Sequence, residues 1–322
     1  MKQLTRRTMI AAAVATGTAL TAGAAIAEDF PTKPITMIIP LGAGGSHDLN
    51  ARVMTSMLPT YLGQPVVVEL MPGASGRNGT AAAAKAKADG YTLLFTHNFI
   101  DELQQHVGKV PYDPNKDFVV VARTNTALSS VVVRADSRFK TMKDMLDEAK
   151  ANPGKVKFGH SGNWGASMVP GAALLQAAGV KMSLVPYQGG GPAMRGVMSG
   201  DVDFTIAFPS VITSQGDKVR ALVTLADKRV FPDVPTTGEL GYPDVADIST
   251  MHRVVLAPAA TPPEHLAKLR EAFAKLVKDK TYTTLLNKLD ENNEYMDATG
   301  YTKIRAIQDT AYAKLVKELT TK

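Results

Sequence analysis

Short apolar runs and longer amphipathic stretches alternate along this chain, and the alternation gives the architecture. Ile35–Ile39, Val66–Leu70 and Tyr91–Phe95 are apolar runs of strand length. Between them, Leu49, Val53, Met57 and Tyr61 recur every four residues, which predicts a helix over about 48–62 with a doubtful last turn at Pro59 and a stop at Gly63. The alanine run 81–88 predicts a second helix. Strand, helix, strand, helix, strand is the order of a parallel sheet with helices on both faces. Further strands are expected at 118–122, 130–134, 156–158, 184–187, 202–206, 219–225 and 254–258, with helices over 142–151, after 165 to Ala178, after Gly189-Gly190-Gly191-Pro192, and in the tail. In the tail, Leu266, Leu269, Phe273 and Leu276 line one helix, and Ile304, Ile307, Ala311 and Leu315 line the last. Thr124-Asn125-Thr126 reads as the loop by which the chain leaves a first domain (28–125 plus 251–322) for a second (126–250).

The first strand stops at Pro40 and runs into Leu41-Gly42-Ala43-Gly44-Gly45 before a helix opens at Ser46-His47-Asp48. A strand that ends in a glycine turn and feeds a helix presents backbone N–H groups to a small anion, and glycine lets the anion come close. Ser46 is the expected N-cap, with Asp48 in the favourable first turn. Leu41, Ala43, Gly44, Gly45, Ser46 and Asp48 are therefore candidate ligand contacts. The turn is neither a P-loop nor a dinucleotide fingerprint, because no Gly-Lys-Ser/Thr and no Gly-x-Gly-x-x-Gly is present. A second unit repeats the plan: a strand at 156–158, then Gly159-His160-Ser161-Gly162-Asn163-Trp164-Gly165, then a helix. Ser161, Asn163, Trp164 and Gly165 join the candidates, as do His97 and Phe208 beyond strand ends, where open α/β sheets bind ligands. Arg253 could grip a carboxylate through its bidentate fork; the bland alternative is a structural salt bridge. Trp164, the only tryptophan, is either a half-buried anchor or a wall for a flat ligand.

Two catalytic readings carry less. A serine hydrolase using Ser161 would need Gly-x-Ser-x-Gly, and position 163 is Asn. His97, Asp101 and His106 match no metal-ligand spacing, so neither a metal nor a cofactor is expected.

Composition narrows the setting. The chain has 322 residues, 45% of them hydrophobic and none cysteine, which suits two globular domains and rules out disulfides and thiolate chemistry. Residues 1–27 read as an export signal: a basic start (Lys2, Arg6, Arg7), an apolar core and Ala25-Ile26-Ala27 before Glu28. Thr5-Arg6-Arg7 fits a twin-arginine signal as well as a general secretory one, and both lead to the periplasm. Leaving out those three cations, 33 basic face 30 acidic residues, so no nucleic-acid partner is implied.

Five ordered motifs complete the reading: the glycine turn with Ser46-x-Asp48-x-x-x-Arg52; Gly63-Gln64-Pro65-Val66-Val67-Val68-Glu69 with Pro72-Gly73-Ala74; Asp89-Gly90-Tyr91-Thr92-Leu93; Pro186-Tyr187-x-Gly189-Gly190-Gly191-Pro192-Ala193; and Pro232-Asp233-Val234-Pro235-Thr236 with Pro258-x-x-Thr261-Pro262. Together they resemble the tripartite tricarboxylate transporter substrate-binding proteins, the Bug or TctC family. The resemblance implies a monomeric, periplasmic, two-domain type II binding protein. Such a protein closes on a small organic acid, a mono- or dicarboxylate, aromatic acids included, and delivers it to a membrane permease of one large and one small subunit. A receptor for a membrane sensor is the alternative role. In that family the first turn, here Leu41 to Ser46, holds the carboxylate and the second, here Ser161 to Gly165, reads the other end. Met168, Ala207-Phe208-Pro209 and Met251-His252-Arg253 depart from the family pattern at predicted cleft edges, so the ligand does not carry over.

Overall fold

The computed structural model describes residues 29–320, so the export signal read over 1–27 lies outside the described residues. Two sheets organise the chain. The first contains β1 (Ile35–Ile39), β2 (Val66–Leu70), β3 (Thr92–His97), β4 (Phe118–Ala127), β10 (Met251–Pro258) and the two-residue β11 (Met296–Asp297), in the order β11-β4-β10-β3-β1-β2. The second contains β5 (Ser130–Arg134), β6 (Lys157–His160), β7 (Ser183–Pro186), β8 (Phe204–Ala207) and β9 (Val219–Thr224), in the order β7-β6-β8-β5-β9.

The expected parallel pairing holds for β1 with β2 and β3, and for β6 with β7 and β8. It fails where the chain enters each sheet from the other. There β10 runs antiparallel to β3 and β4, and β5 runs antiparallel to β8 and β9. The fold is thus a mixed α/β arrangement of two sheets flanked by helices. Central strands are covered on both faces, so they read as continuous apolar runs. Ile35, Met37 and Ile39 face a core with Met54, Phe95, Leu269 and Phe273, while Ile38 faces another with Leu94, Val254 and Tyr301.

Three expectations are corrected. Thr124-Asn125-Thr126 is not a loop: β4 runs through it, paired with Met251–Arg253 of β10. The chain therefore changes sheet between Ala127 and Ser130. Hydroxyl and amide side chains gave no apolar signal there, yet they are buried and hydrogen-bonded. In the first helix, Ser46–Met57, the fully buried stripe is Ala51, Met54 and then Leu58 and Leu62, leaving Leu49, Val53 and Met57 at its margin. In the last helix, Ala298–Thr320, Ile307 is 71% exposed. The buried face there is Tyr301, Arg305, Tyr312 and Val316, because the helix packs on buried polar groups as well as on apolar ones. Tyr301 Oη donates to Glu102 Oε1 at 2.9 Å, and Arg305 Nη2 lies 3.0 Å from Asp101 Oδ2.

Candidate functional site

The two sheets meet at the carboxyl ends of β1, β3, β6 and β8, and the loops that follow them touch. Gly42 N–H donates to Gln188 O at 2.8 Å across the gap. A Cβ on Gly42 would sit 2.8 Å from that same oxygen, and one on Gly191 would sit 2.2 Å from Ala43 O. Only hydrogen fits at either position, so the glycine turn after β1 docks face to face with the run Gly189-Gly190-Gly191. That run opens the helix Gly190–Ser199. The sequence pairs the first turn with Ser161–Gly165 instead; the structure gives the direct contact to the triple glycine. Ser161–Gly165 meets the first half elsewhere: a Cβ on Gly162 would press on Ser75 at 3.0–3.2 Å.

Beneath this contact lies a cavity of about 20 Å³, lined by Leu41, Gly45, Ser46, His47, His97, Ser161, Ala166, Gly190, Ile206, Ala207, Phe208, Val211 and Met251. That is room for about one water centre, so an organic ligand enters only if the halves part. Two helices begin at its edge, Ser46–Met57 and Gly190–Ser199. Their first N–H groups have no partner within the helix and carry the positive end of its dipole. Ser46 is the first helical residue and Gly45 occupies the N-cap with no side-chain bond, so the expected serine cap is corrected. Without a capping side chain, the cap position leaves the N–H groups open to a ligand.

Side-chain polar atoms complete the lining. Ser161 Oγ accepts from Ser167 Oγ at 2.8 Å, and Ser161 N–H donates to that same Ser167 oxygen at 2.6 Å. Ser161 therefore keeps its own hydroxyl hydrogen for another acceptor. Its partner is a hydroxyl and not a basic nitrogen. His97 is 2% exposed and its Nδ1 has no protein partner. Burial, and then the Arg253 charge, push its pKa down to about 3. His47 is likewise held well below its ordinary value by burial, then by His97 and Arg253. Its Nε2 lies 3.1 Å from Thr96 O, which can only accept, so Nε2 carries the proton. Both imidazoles are neutral at pH 7.

Of the residues singled out in the sequence, Leu41, Gly45, Ser46, His97, Ser161 and Phe208 line the cavity. Ala43 and Gly44 are exposed at the rim of the turn. Asp48 shapes the turn: its carboxylate accepts from Gly44 N–H at 2.9 Å and pairs with Arg52 at 2.9 Å. Asn163 is exposed, Gly165 closes its own turn onto Gly162 O, and Trp164 stands behind the lining, packed on the cluster of Phe99, Ala166, Phe208 and Met251. Trp164 holds a left-handed φ of 57°.

Arg253 is corrected. Its side chain is fully buried, and its two terminal nitrogens donate to Glu291 at 2.7 and 2.9 Å. A buried guanidinium must have a partner, and here it comes from the chain itself rather than from a ligand. Glu291 also accepts from Asn50 Nδ2 at 3.3 Å and from Ser210 N–H at 3.2 Å, which ties the first half to the helix Pro209–Gln215 of the second. His106 pairs with Asp309, and among the described residues no cluster of three or more His, Cys, Asp or Glu could hold a metal.

His47, Ala166, Ile206 and Val211 line the cavity without having been singled out, and Ser167 orients Ser161. Gly190 reads from the sequence only as part of a glycine run that opens a helix, and Ala207 and Met251 as departures at predicted cleft edges; all three line the cavity. His47 follows directly on the turn and could have been read from the sequence.

Two α/β halves with a cavity between their carboxyl-end loops define a two-domain solute-binding protein. The comparisons agree. The family model for the tripartite tricarboxylate transporter family receptor matches residues 50–320, and the chain belongs to that family. A relative from Cupriavidus necator, described as a UPF0065 protein in the gbd 5′ region, is 34% identical over 307 residues, 94% of this chain and 92% of its own. The structure of the periplasmic binding protein BugD is 27% identical with a TM-score of 0.84, covering 90% of this chain and 98% of that one. MatC from Rhodopseudomonas palustris with bound malate is 25% identical with a TM-score of 0.81, covering 89% and 100%.

Proposed function

We propose that this protein captures a small organic carboxylate between its two halves and hands it to a tripartite membrane transporter. The observation that carries the reading is the convergence of two helix N-termini, at Gly45–Ser46 and Gly190–Gly191, on one cavity that also presents the Ser161 hydroxyl and the unpartnered His97 Nδ1. Backbone N–H groups at helix starts attract a carboxylate and repel a cation. The malate bound by MatC supports the class of ligand.

The two bodies, read from the sequence as 28–125 with 251–322 and as 126–250, would divide instead where the chain changes sheet after Ala127 and before Met251, which keeps Thr126 and Ala127 in the first. Export to the periplasm by residues 1–27, and delivery as a monomer to a permease of one large and one small subunit, complete the proposal; membership of the tripartite tricarboxylate transporter receptor family supports them. A thermal-shift screen of organic acids on the purified protein tests it: a bound acid raises the melting temperature by mass action. A rise with neutral sugars or amines and none with carboxylates overturns the reading.

A further inference from the structure

The two halves touch at two unlike places. At the glycine turns the contact is backbone on backbone, as the Gly42 N–H bond to Gln188 O shows. At the second place side chains make it. Glu291 Oε1 accepts from Ser210 N–H at 3.2 Å, and Thr213 Oγ1 donates to Asp290 Oδ2 at 2.6 Å. Ser210 and Thr213 belong to the helix Pro209–Gln215 of the second half, while Asp290 and Glu291 follow the helix Lys280–Asn287 of the first. Arg253 and Asn50 hold Glu291 from the side of the first half, and all of Arg253, Asn50, Ser210 and Glu291 are buried. A buried, charged contact of this kind costs much to break.

This second contact lies beside the place where the chain changes sheet. Asn292 Nδ2 donates to Thr126 Oγ1 at 3.3 Å, one residue before β4 ends at Ala127. On the other side, β8 ends at Ala207, which pairs with Ser130, the first residue of β5. When two bodies turn about a covalent joint, points close to the joint move least.

We infer that Glu291 is a positioning residue for capture: with Asp290 it fixes the start of the helix Pro209–Gln215 to the first half, and the halves turn about that point while the glycine turns part. Phe208 and Val211 stand on either side of Pro209-Ser210 and line the cavity, so they keep their place beside Met251 as it opens. One wall of the cavity stays and the other moves. The inference rests on the parting of the halves in the reading above, and adds a non-covalent pivot to the two chain crossings.

The chain contains no cysteine, so introduced pairs carry spin labels at chosen places. Ser56→Cys with Ser199→Cys spans the seam between the helices Ser46–Met57 and Gly190–Ser199; Thr284→Cys with Ser214→Cys spans the Glu291 contact. All four positions are exposed. Dipolar electron resonance on the ligand-free protein reads both distances. A molecule one carbon thick passes the seam only if it opens by about 4 Å. The expected result is a Ser56–Ser199 distance longer than its closed value by that amount or more, with the Ser214–Thr284 distance within about 1 Å of its own. Similar movement of both pairs overturns the inference and leaves the parting of the halves standing. Both pairs at their closed values overturn the inference together with the parting. Glu291→Gln keeps the shape and removes the charge, and should broaden the Ser214–Thr284 distribution; if that variant does not fold, Thr213→Val, which deletes one hydroxyl, takes its place. A contact that serves stability alone would lower the melting temperature and leave the distribution as narrow as before, and that result overturns the role given to Glu291.

Discussion

Replacing Gly191 with alanine adds one methyl group at the place where the two halves meet. Its Cβ would lie 2.2 Å from Ala43 O, 2.7 Å from Gly44 C and 2.7 Å from Gly45 N, all backbone atoms that cannot swing aside. A carbon and a carbonyl oxygen in contact stand about 3.3 Å apart, so the two turns must separate by about 1 Å. Overpacking of this kind costs roughly 1–3 kcal/mol. The methyl acts only when the halves are together, so the cost falls on the closed form. Ligand affinity should weaken by the same amount, roughly 5- to 150-fold. Gly108→Ala is the control, because it adds the same methyl outside the cavity lining, where nothing lies within 4 Å. Affinities by calorimetry, with thermal melts to show that both variants fold, read the difference. Equal binding by Gly191→Ala and the unaltered protein, or equal weakening by both variants, would refute the view that these turns close on each other.

Three further outcomes are expected. Arg253→Ala strips Glu291 of its buried partner and should cost roughly 3–5 kcal/mol of stability in urea unfolding, whereas Arg253→Met combined with Glu291→Leu should cost less than the single change; additive losses would contradict the pairing. Asp101 and Glu102 share a buried pocket near Arg305; burial raises Asp101 to about 6 against the pull of the Arg305 charge, and burial first, then the Asp101 charge, raise Glu102 well above its ordinary value. The native state therefore holds protons that the unfolded chain has released, and stability falls as pH rises from about 4.5 through 6 and beyond. Glu102→Gln should raise the melting temperature at pH 8 by roughly 2–4 °C and change it little at pH 4.5; an equal shift at both would refute the sign. Because burial holds His97 near 3, carboxylate affinity should stay flat from pH 5 to 8, and a step near the usual imidazole range would show a charged histidine in the site.

Much of the fold was legible because central strands buried on both faces leave continuous apolar runs, as in Ile35–Ile39 and Phe204–Ala207. Polar burial hid the rest. β4 continues through Thr124-Asn125-Thr126, and the last helix buries Arg305 on Asp101 while Ile307 faces water, so a reading from apolar periodicity misses both. The site divides in the same way. Gly45, Ser46, His97 and Ser161 sit at strand ends, and local grammar finds them. The docking of Gly191 on Ala43 and the capture of Arg253 by Glu291 join residues 148 and 38 positions apart, and no local pattern encodes either contact.

The central claim is that a carboxylate sits on the backbone N–H groups of the two glycine turns. Amide chemical shifts during titration with a bound carboxylate test it directly, since glycine amides are well separated. The account predicts the largest shifts at Gly45, Ser46, Gly190 and Gly191, saturating together with the calorimetric isotherm. Saturation with those four amides unmoved, and the shifts gathered elsewhere on the molecule, would contradict it.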